Sequence, residues 1–288
     1  MGTAITDQFN KIRDNHHSEL EKIEIELLLE GIYRYYGFDF RNYAFPFLQR
    51  RILHCMGAEK LTSVSALQEK VFRDSAVMKK LFAEFSVNVT EMFRNPSFFL
   101  ALRTKVLPML RECNNIRIWH VGCASGEEVY SMAILLHEEG LYEKTTIYAT
   151  DMNAKVLKKA KQGTFPLERM QTYTKNYFQS GGKRAFSEYY TVQQEQVIFQ
   201  PFLRENIVFA QHNVVTDHSF NEFHIIICRN VMIYFNKTLQ NHVHRLLYDS
   251  LSVSGFLGLG EREEVQFTSY ADYYNEFDSK ERLYRKIK

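Results

Sequence analysis

The segment best suited to bind a small molecule is a glycine loop between a predicted strand and a predicted helix. Residues 119–128 read Trp-His-Val-Gly-Cys-Ala-Ser-Gly-Glu-Glu, which places Gly122 and Gly126 four positions apart. Glycines let the backbone turn sharply and approach a ligand, and the start of a helix presents unpaired amides. Glu127 and Glu128 occupy that start and would repel a phosphate, and the spacing is not the GxGxxG of dinucleotide sites. The loop favours a neutral or cationic ligand such as S-adenosylmethionine. The alternative is a plain strand-to-helix turn whose acidic residues complement the helix dipole.

Further polar residues follow other predicted strands. Asp151 ends the next strand and could bind ribose hydroxyls, although it could equally cap a helix. Asn213, followed by Val214, carries an amide that could recognise adenine. Arg229 and Asn230 follow a buried apolar strand. Because ligands of open α/β sheets bind outside the carboxyl ends of the strands, these positions point to one crevice.

Two more groups could serve the chemistry. Asn88, Thr90 and Arg94 lie in a short turn before the sheet region, where turn and capping roles could also explain the Asn and the Thr. Tyr234 and Phe235 follow the last strand-end pair, and core aromatics are the alternative for them. Alone, neither group establishes a function.

The composition is that of a folded chain of 288 residues, enough for one large domain or two smaller ones. Hydrophobic residues make up 45% and charged residues 24%, which argues against disorder and a fibrous class. The net charge of +2 does not indicate a nucleic-acid partner. The sequence shows no apolar run of about 20 residues, no secretory signal and no CxxC pair. We therefore expect a cytoplasmic protein with no metal site.

The order of predicted elements divides the chain into regions. A polar arm at residues 1–18 precedes a helical domain at 19–90, and strands alternate with helices over 91–288, which predicts a parallel sheet covered by helices. An insert at about 164–205 breaks the alternation and predicts a β-hairpin or small antiparallel sheet with a Gly181-Gly182 turn.

Specific residues are predicted to begin or end helices. Gly37 and Gly57 should end two helices of the first domain. Asn95 before Pro96, Asn153 and Asn236 should each cap the helix that follows.

Taken together, the motifs resemble those of the CheR family over about residues 20–288. They are Asn88-x-Thr-x-x-x-Arg94, the glycine loop to Glu128, the strand ending at Asp151, and Cys228-Arg-Asn-Val-Met-Ile-Tyr-Phe235. These proteins are chemotaxis receptor protein-glutamate O-methyltransferases. The resemblance implies an α/β protein in which an N-terminal all-helical domain precedes a Rossmann-like methyltransferase domain, with a mixed, mostly parallel sheet and a small inserted antiparallel β-subdomain.

The resemblance also assigns residues to the S-adenosylmethionine site. They are Asn88, Thr90, Arg94, Gly122, Glu128, Asp151, Asn213, Val214, Arg229 and Asn230. Arg94 and Tyr234 would also face the reacting carboxylate. The chain departs from the family at Val129, where a proline is common, and at 258–262, which differs from the usual His-Ser-Glu.

A basic part of the helical domain could dock an acidic substrate helix. Arg50 and His54 lie four positions apart, with Arg41 and Arg51 nearby, although a solvated charged face is the alternative.

The expected reaction is methyl transfer from S-adenosylmethionine to glutamates of the cytoplasmic helical domain of a bacterial chemotaxis receptor. Its products are a glutamate methyl ester and S-adenosylhomocysteine. A glutamate is already ionised at pH 7, so no general base is needed. We expect a monomer that neither inserts into membranes nor binds nucleic acid. The alternatives are a non-catalytic signalling module that binds these ligands and, less favoured by the missing GxGxxG, an NAD-dependent oxidoreductase.

Overall fold

The computed structural model describes residues 2–266 and 268–288, with side chains from residue 19 onward. The chain forms two compact units, Met1–Val87 with Tyr234–Leu239, and Asn88–Ile233 with Gln240–Lys288. The polar arm predicted at residues 1–18 includes Met1, which lies outside the described residues, and for 2–18 the backbone alone is described. Within the described part of the chain, no helix is sufficiently long and apolar to cross a membrane.

The first unit is helical, as predicted. Its helices are α1 (Gly2–Tyr36), α2 (Phe45–Glu59), α3 (Val64–Arg73) and α4 (Ser75–Phe85). Ile32, Phe40 and Leu67 are fully buried in its core. The predicted end at Gly37 is confirmed, since this residue has φ +78° and donates its N–H to the Tyr33 carbonyl at 2.9 Å. The end predicted near Gly57 lies two residues further on, at Glu59.

Helix α2 continues through Gly57 to Glu59, and Lys60 caps it in the left-handed conformation with φ 56°. A glycine inside a helix costs only about 1 kcal/mol relative to alanine, so packing of the helix overrides the local signal.

The second unit is built on a sheet with helices. Its helices are α5 (Pro96–Ala101), α6 (Glu127–Glu138), α7 (Ala154–Gln162), α8 (Met170–Gln179) and α9 (Lys237–Ser250), of which α9 starts in the first unit. Its strands are β1 (Ile116–Val121), β2 (Thr145–Asp151), β3 (Thr164–Pro166), β4 (Tyr190–Gln193), β5 (Gln196–Phe199), β6 (Ile207–Gln211), β7 (Phe223–Cys228), β8 (Leu251–Leu259), β9 (Tyr274–Asp278) and β10 (Leu283–Lys286).

The main sheet has the strand order β6-β2-β1-β7-β8-β10-β9. Strands β6, β2, β1, β7 and β8 pair in parallel, and β10 and β9 pair antiparallel. The predicted mixed, mostly parallel sheet is therefore confirmed. The chain moves outward from β1 to β2 and β6, and later adds β7 and β8 on the other side of β1. This reversal opens a crevice at the carboxyl ends of the strands, where ligands of such sheets bind.

An asparagine side chain caps the following helix at two of the three predicted positions. The Asn153 side chain accepts the Lys155 N–H at 3.0 Å, and the Asn236 side chain accepts the Leu239 N–H at 2.9 Å. Pro96 stands at the start of α5 as predicted, but Asn95 has φ 56° and its side chain does not cap that helix. The capping role predicted for Asn95 is thus wrong, and its side chain has partners elsewhere.

The insert contains the predicted antiparallel sheet, with strand order β3-β5-β4. Its hairpin turns at Gln194, which has φ 54°, whereas Gly181 and Gly182 follow the end of α8. The sequence analysis missed α8, because its Thr, Tyr and Asn residues have low helix propensity. Burial of Tyr173 and Tyr177 stabilises this helix instead.

Candidate cofactor and active site

The glycine loop between β1 and α6 has a conformation that requires its first glycine. Gly122 has φ +66°, and a Cβ added there would lie 2.7 Å from Cγ2 of Val231. Alanine would strain the backbone and overlap that side chain. The loop is tied to the neighbouring strand by the Cys123 N–H, which donates to the Thr150 carbonyl at 2.9 Å. Glycine at this position therefore lets the loop pack closely against Val231.

Asp151 at the end of β2 supports the same loop. It is 8% exposed, and its carboxylate accepts the Ala124 N–H at 3.0 Å and the Asn153 N–H at 2.8 Å. Burial raises the pKa of Asp151. Each carboxylate oxygen can accept more than one hydrogen bond, so acceptor capacity remains for a ligand hydroxyl.

Glu128 in the first turn of α6 is held as a carboxylate by two partners. Its oxygens lie 3.1 Å from Nδ1 of His120 and 2.9 Å from Nη1 of Arg229. Burial alone would raise the pKa of Glu128, but the His120 hydrogen bond and the Arg229 charge outweigh it and lower that pKa. Glu128 is thus held as a carboxylate beside the glycine loop, and its charge is paired with that of Arg229.

Arg229 joins this carboxylate to the turn that carries Arg94. Its guanidinium donates to the Arg94 carbonyl at 3.1 Å and to Oδ1 of Asn95 at 2.6 Å, and it lies 4.1 Å from the Phe98 ring centroid. The turn also contains Phe93, whose φ of 50° is unusual for a residue other than glycine. Such backbone strain persists only where surrounding contacts impose it, and it clusters at functional sites.

A cleft of about 520 Å³ opens beside this turn. It is lined by Val89, Thr90, Glu91, Arg94, Glu168, Arg169, Thr172 and Tyr173. Arg169 crosses towards the turn and donates to the Thr90 carbonyl at 3.3 Å. The volume falls within the usual range for small-ligand sites. The lining brings two guanidinium groups, Arg94 and Arg169, together with two carboxylates, Glu91 and Glu168.

The remaining predicted cofactor residues lie at or near this edge. Asn213 follows β6, whose last residue pairs with Asp151, and its side-chain carbonyl accepts the Val215 N–H at 3.1 Å. Val214 is buried, and Asn88 is half-buried as the first residue of the second unit. Asn230 is placed directly after Arg229, with φ 61°. That these residues bind a cofactor stays a prediction.

Tyr234 belongs to the first unit, whereas Arg94 belongs to the second. The Tyr234 ring packs on Phe47 with centroids 4.8 Å apart, and its carbonyl accepts the Ala44 N–H at 2.8 Å. The catalytic role predicted for Tyr234 therefore stays a prediction.

The basic residues predicted to dock a substrate differ in how free they are. Arg41 pairs with Asp39 at 2.8 Å and with Glu30 at 3.0 Å. Arg51 and His54, both on α2, share Glu84 as a partner. The Arg51 guanidinium lies 3.3 Å from the Glu84 carboxylate, and Nδ1 of His54 lies 3.1 Å from it. Arg50 is exposed to solvent. The structure thus favours Arg50 as the most available of the predicted docking residues.

Two carboxylates after β8 were missed by the sequence analysis. Glu261 accepts a hydrogen bond from the Asn95 side chain, and Glu263 is buried with four backbone donors around one carboxylate. The sequence analysis noted that residues 258–262 differ from the usual His-Ser-Glu. It could not show that Glu261 and Glu263 have partners far along the chain.

Comparison with known proteins supports this placement. Residues 88–281 match the model of the CheR methyltransferase, SAM binding domain, and residues 23–86 match that of the CheR methyltransferase, all-alpha domain. Cher3 of Pseudomonas putida is 47% identical over 264 residues, which cover 92% of this chain and 97% of that protein. The chemotaxis protein methyltransferase of Listeria monocytogenes is 29% identical over 239 residues, covering 82% of this chain and 87% of that protein.

Solved structures add less. The glycopeptide N-methyltransferase MtfA, complexed with sinefungin, is 10% identical and covers 59% of this chain and 50% of its own. Its TM-score is 0.36, too low to carry an argument.

Proposed function

Because this chain belongs to the CheR methyltransferase family, we propose that its methyl acceptor is a glutamate of a chemotaxis receptor, in a cytoplasmic helical segment. The donor is S-adenosylmethionine, and the setting is chemotaxis. The observation that carries the choice of a carboxylate acceptor is the cleft beside the strand ends, lined by Arg94 and Arg169. A guanidinium can hold a carboxylate through two parallel hydrogen bonds, which an amine acceptor cannot form. Glu91 and Glu168 line the same cleft and offset its positive charge, so the choice rests on this pairing geometry.

The residues at the strand ends fit the methyl donor. Gly122 lets the loop at the strand ends pack against Val231, and Glu128 is held there as a carboxylate by His120 and Arg229. Asp151 would accept from the ribose hydroxyls and Asn213 would contact the adenine. When bound, S-adenosylmethionine supplies a methyl group on a positively charged sulfur, which becomes a neutral thioether as the ester C–O bond forms.

The protein's own task is positioning rather than proton transfer. The glutamate acceptor is ionised at pH 7, so no proton has to move. Arg94 would hold the acceptor carboxylate so that one oxygen approaches in line. The hydrogen bond expected from Tyr234 stays a prediction from the sequence. Orientation of this kind can lower a barrier by about 7 to 11 kcal/mol. Exclusion of water would favour the loss of charge separation in the transition state.

The proposed function is tested with methyl-labelled S-adenosylmethionine and membranes that hold candidate receptors. We expect label on the receptor that is released by mild base as methanol, because esters hydrolyse there and methylamines do not. Base-stable label would overturn the glutamate assignment. Tight binding of S-adenosylhomocysteine with no transfer to any receptor would favour the second candidate, a ligand-binding signalling module.

Replacing Arg94 with lysine is expected to lower kcat about 100-fold, because lysine keeps the charge but loses the planar fork that orients a carboxylate. Affinity for S-adenosylhomocysteine should change much less, since Arg229 contacts the Arg94 carbonyl rather than its side chain. Both quantities are measured by steady-state kinetics and calorimetry.

The matched control is Arg204→Lys. The Arg94 side chain donates to the Val89 carbonyl at 3.4 Å, and Arg204 likewise donates to backbone carbonyls, those of Lys161 and Gln162, but does not line the cleft. It should leave kcat unchanged. Equal losses of kcat and ligand affinity in Arg94→Lys would contradict the acceptor role and assign the side chain to the cofactor.

Replacing Arg50 with glutamate is expected to raise KM for the receptor about tenfold, because reversal of an exposed charge repels an acidic partner. The increase should shrink at high salt, where exposed charges are screened. Arg73→Glu is the control, since Arg73 is exposed on α3 of the same unit and faces Glu69. Equal KM values for both variants would reject docking at Arg50.

A further inference from the structure

Glu263 is a buried carboxylate surrounded by backbone donors. It is 4% exposed. One oxygen accepts the N–H groups of Asn230 and Gly260, each at 2.8 Å, and the other accepts those of Val231 at 2.9 Å and Met232 at 2.7 Å. All four distances are those of good hydrogen bonds. A single side chain therefore satisfies three consecutive amides of the segment after β7.

That segment is the one that presents the predicted cofactor residues Arg229 and Asn230. Asn230 has φ 61°, so the backbone turns there against its steric preference. The next residue, Val231, contacts the glycine loop, because its Cγ2 would meet a Cβ on Gly122 at 2.7 Å. The position of the segment after β7 thus affects both Arg229 with Asn230 and the glycine loop.

The end of β8 is shaped to bring Glu263 close. A Cβ on Gly260 would lie 2.6 Å from Oε2 of Glu263 and 2.9 Å from the Asn230 nitrogen. Glycine at this position therefore lets the two backbone segments approach each other.

We propose that Glu263 is a positioning residue for S-adenosylmethionine binding, which fixes the Asn230–Met232 backbone in the conformation that presents Arg229 and Asn230 to the ligand. The inference rests on the proposed cofactor site at these strand ends. It does not depend on which acceptor is methylated. Glu263 itself is not a catalytic residue, since it acts through the loop.

The physical basis is the acceptor capacity of the carboxylate, whose two oxygens accept all four N–H groups. Glutamine in its place keeps one oxygen but turns an NH₂ group towards backbone N–H donors, which leaves buried amides without acceptors. The loop then samples other conformations, and apparent ligand affinity falls with the fraction of molecules that remain competent. Hydrogen bonds to charged groups contribute enough for a loss of about 10- to 100-fold.

The test is calorimetric titration of the full chain with S-adenosylhomocysteine. We expect Glu263→Gln to raise Kd about 10- to 100-fold without lowering the binding stoichiometry, which reports the folded fraction. Glu263→Asp keeps the charge on a shorter side chain and should raise Kd less. If the glutamine variant does not fold, the aspartate variant decides, and an unchanged Kd there overturns the proposal.

Two controls separate positioning from general stabilisation. Glu264→Gln changes the next residue, which faces Arg282 at 3.5 Å, and Glu138→Gln changes another buried carboxylate, which accepts from Tyr189 at 2.9 Å. Neither should alter Kd. A Glu263→Gln protein with reduced stoichiometry but wild-type Kd would show a structural role only. Wild-type chain that binds the ligand but methylates no receptor refutes the proposed function and leaves this inference standing.

Discussion

Replacing Gly122 with alanine is expected to raise Kd for S-adenosylhomocysteine at least about 100-fold. Two costs combine at this residue. A positive φ of 66° strains any residue with a Cβ, and that Cβ would lie 2.7 Å from Val231, closer than real Cβ contacts. Backbone strain costs about 1 to 3 kcal/mol and overpacking a similar amount. The simplest relief is a shift of the glycine loop or of the loop that carries Asn230, and either shift spoils the crevice.

The chain offers a control for each cost. Gly140 also has positive φ, at 69°, but a Cβ there would meet no atom within 4 Å, so Gly140→Ala carries the strain without the overlap. It should destabilise slightly and leave Kd unchanged. Adding Val231→Ala to Gly122→Ala removes the overlap and should restore part of the affinity. No loss of affinity in Gly122→Ala, measured by calorimetry, would contradict a binding role for this loop.

The parts of this site that sequence could predict depend on local or topological rules. The glycine loop, the Asn153 cap and the strand end at Asp151 each follow from neighbouring residues in the chain. Their convergence at one edge follows from parallel pairing, which brings carboxyl ends together. No long-range contact has to be known for any of these predictions.

The residues that sequence could not place have partners far along the chain. Asn95 is of a residue type that often caps helices, and it stands directly before Pro96. Its side chain instead forms hydrogen bonds with Arg229, 134 positions later, and Glu261, 166 positions later. Glu263 is one of two adjacent glutamates, and nothing local distinguishes the one that accepts four amides from the one that faces Arg282. Contacts with residues distant in the sequence determine the role of both side chains.

The basic residues of the first unit show the same limit for charge. Counting arginines predicts a docking surface, but Arg51 finds Glu84, 33 positions away, and Arg41 finds Glu30. A charge already paired in this way contributes less to the attraction of a distant partner. The exposure of Arg50 follows from the fold and cannot be read from the sequence. Of the predicted docking residues, we therefore chose Arg50 for the test of receptor binding.

Replacing Arg103 with alanine is expected to lower the free energy of unfolding by about 3 to 5 kcal/mol, the cost of leaving buried charge without its partner. Arg103 is 6% exposed and its guanidinium lies 2.6 Å from Glu138 and 2.7 Å from Glu139. Hydrogen bonds from Tyr189 and Tyr177 also reach Glu138. The loss is measured as the urea midpoint at constant m value.

The pH dependence of this loss has a definite sign. Burial alone would raise the pKa of Glu138 and of Glu139, but hydrogen bonds from Tyr177 and Arg103 to the first, and from Lys183 and Arg103 to the second, lower both. A lowered carboxyl pKa stabilises the fold above the unfolded pKa, and this contribution is lost as pH falls through the folded one. The gap between wild type and Arg103→Ala should therefore narrow in acid.

Arg245→Ala is the control for a surface pair, since Arg245 is exposed and lies 3.7 Å from Asp249. Exposed pairs contribute about 0 to 1 kcal/mol, so its loss should be small. A double variant, Arg103→Met with Glu138→Gln, removes the guanidinium and one of the two carboxylates, and should recover part of the stability that Arg103→Met alone loses. If Arg103→Ala is no less stable than Arg245→Ala, the buried network contributes nothing beyond a surface pair.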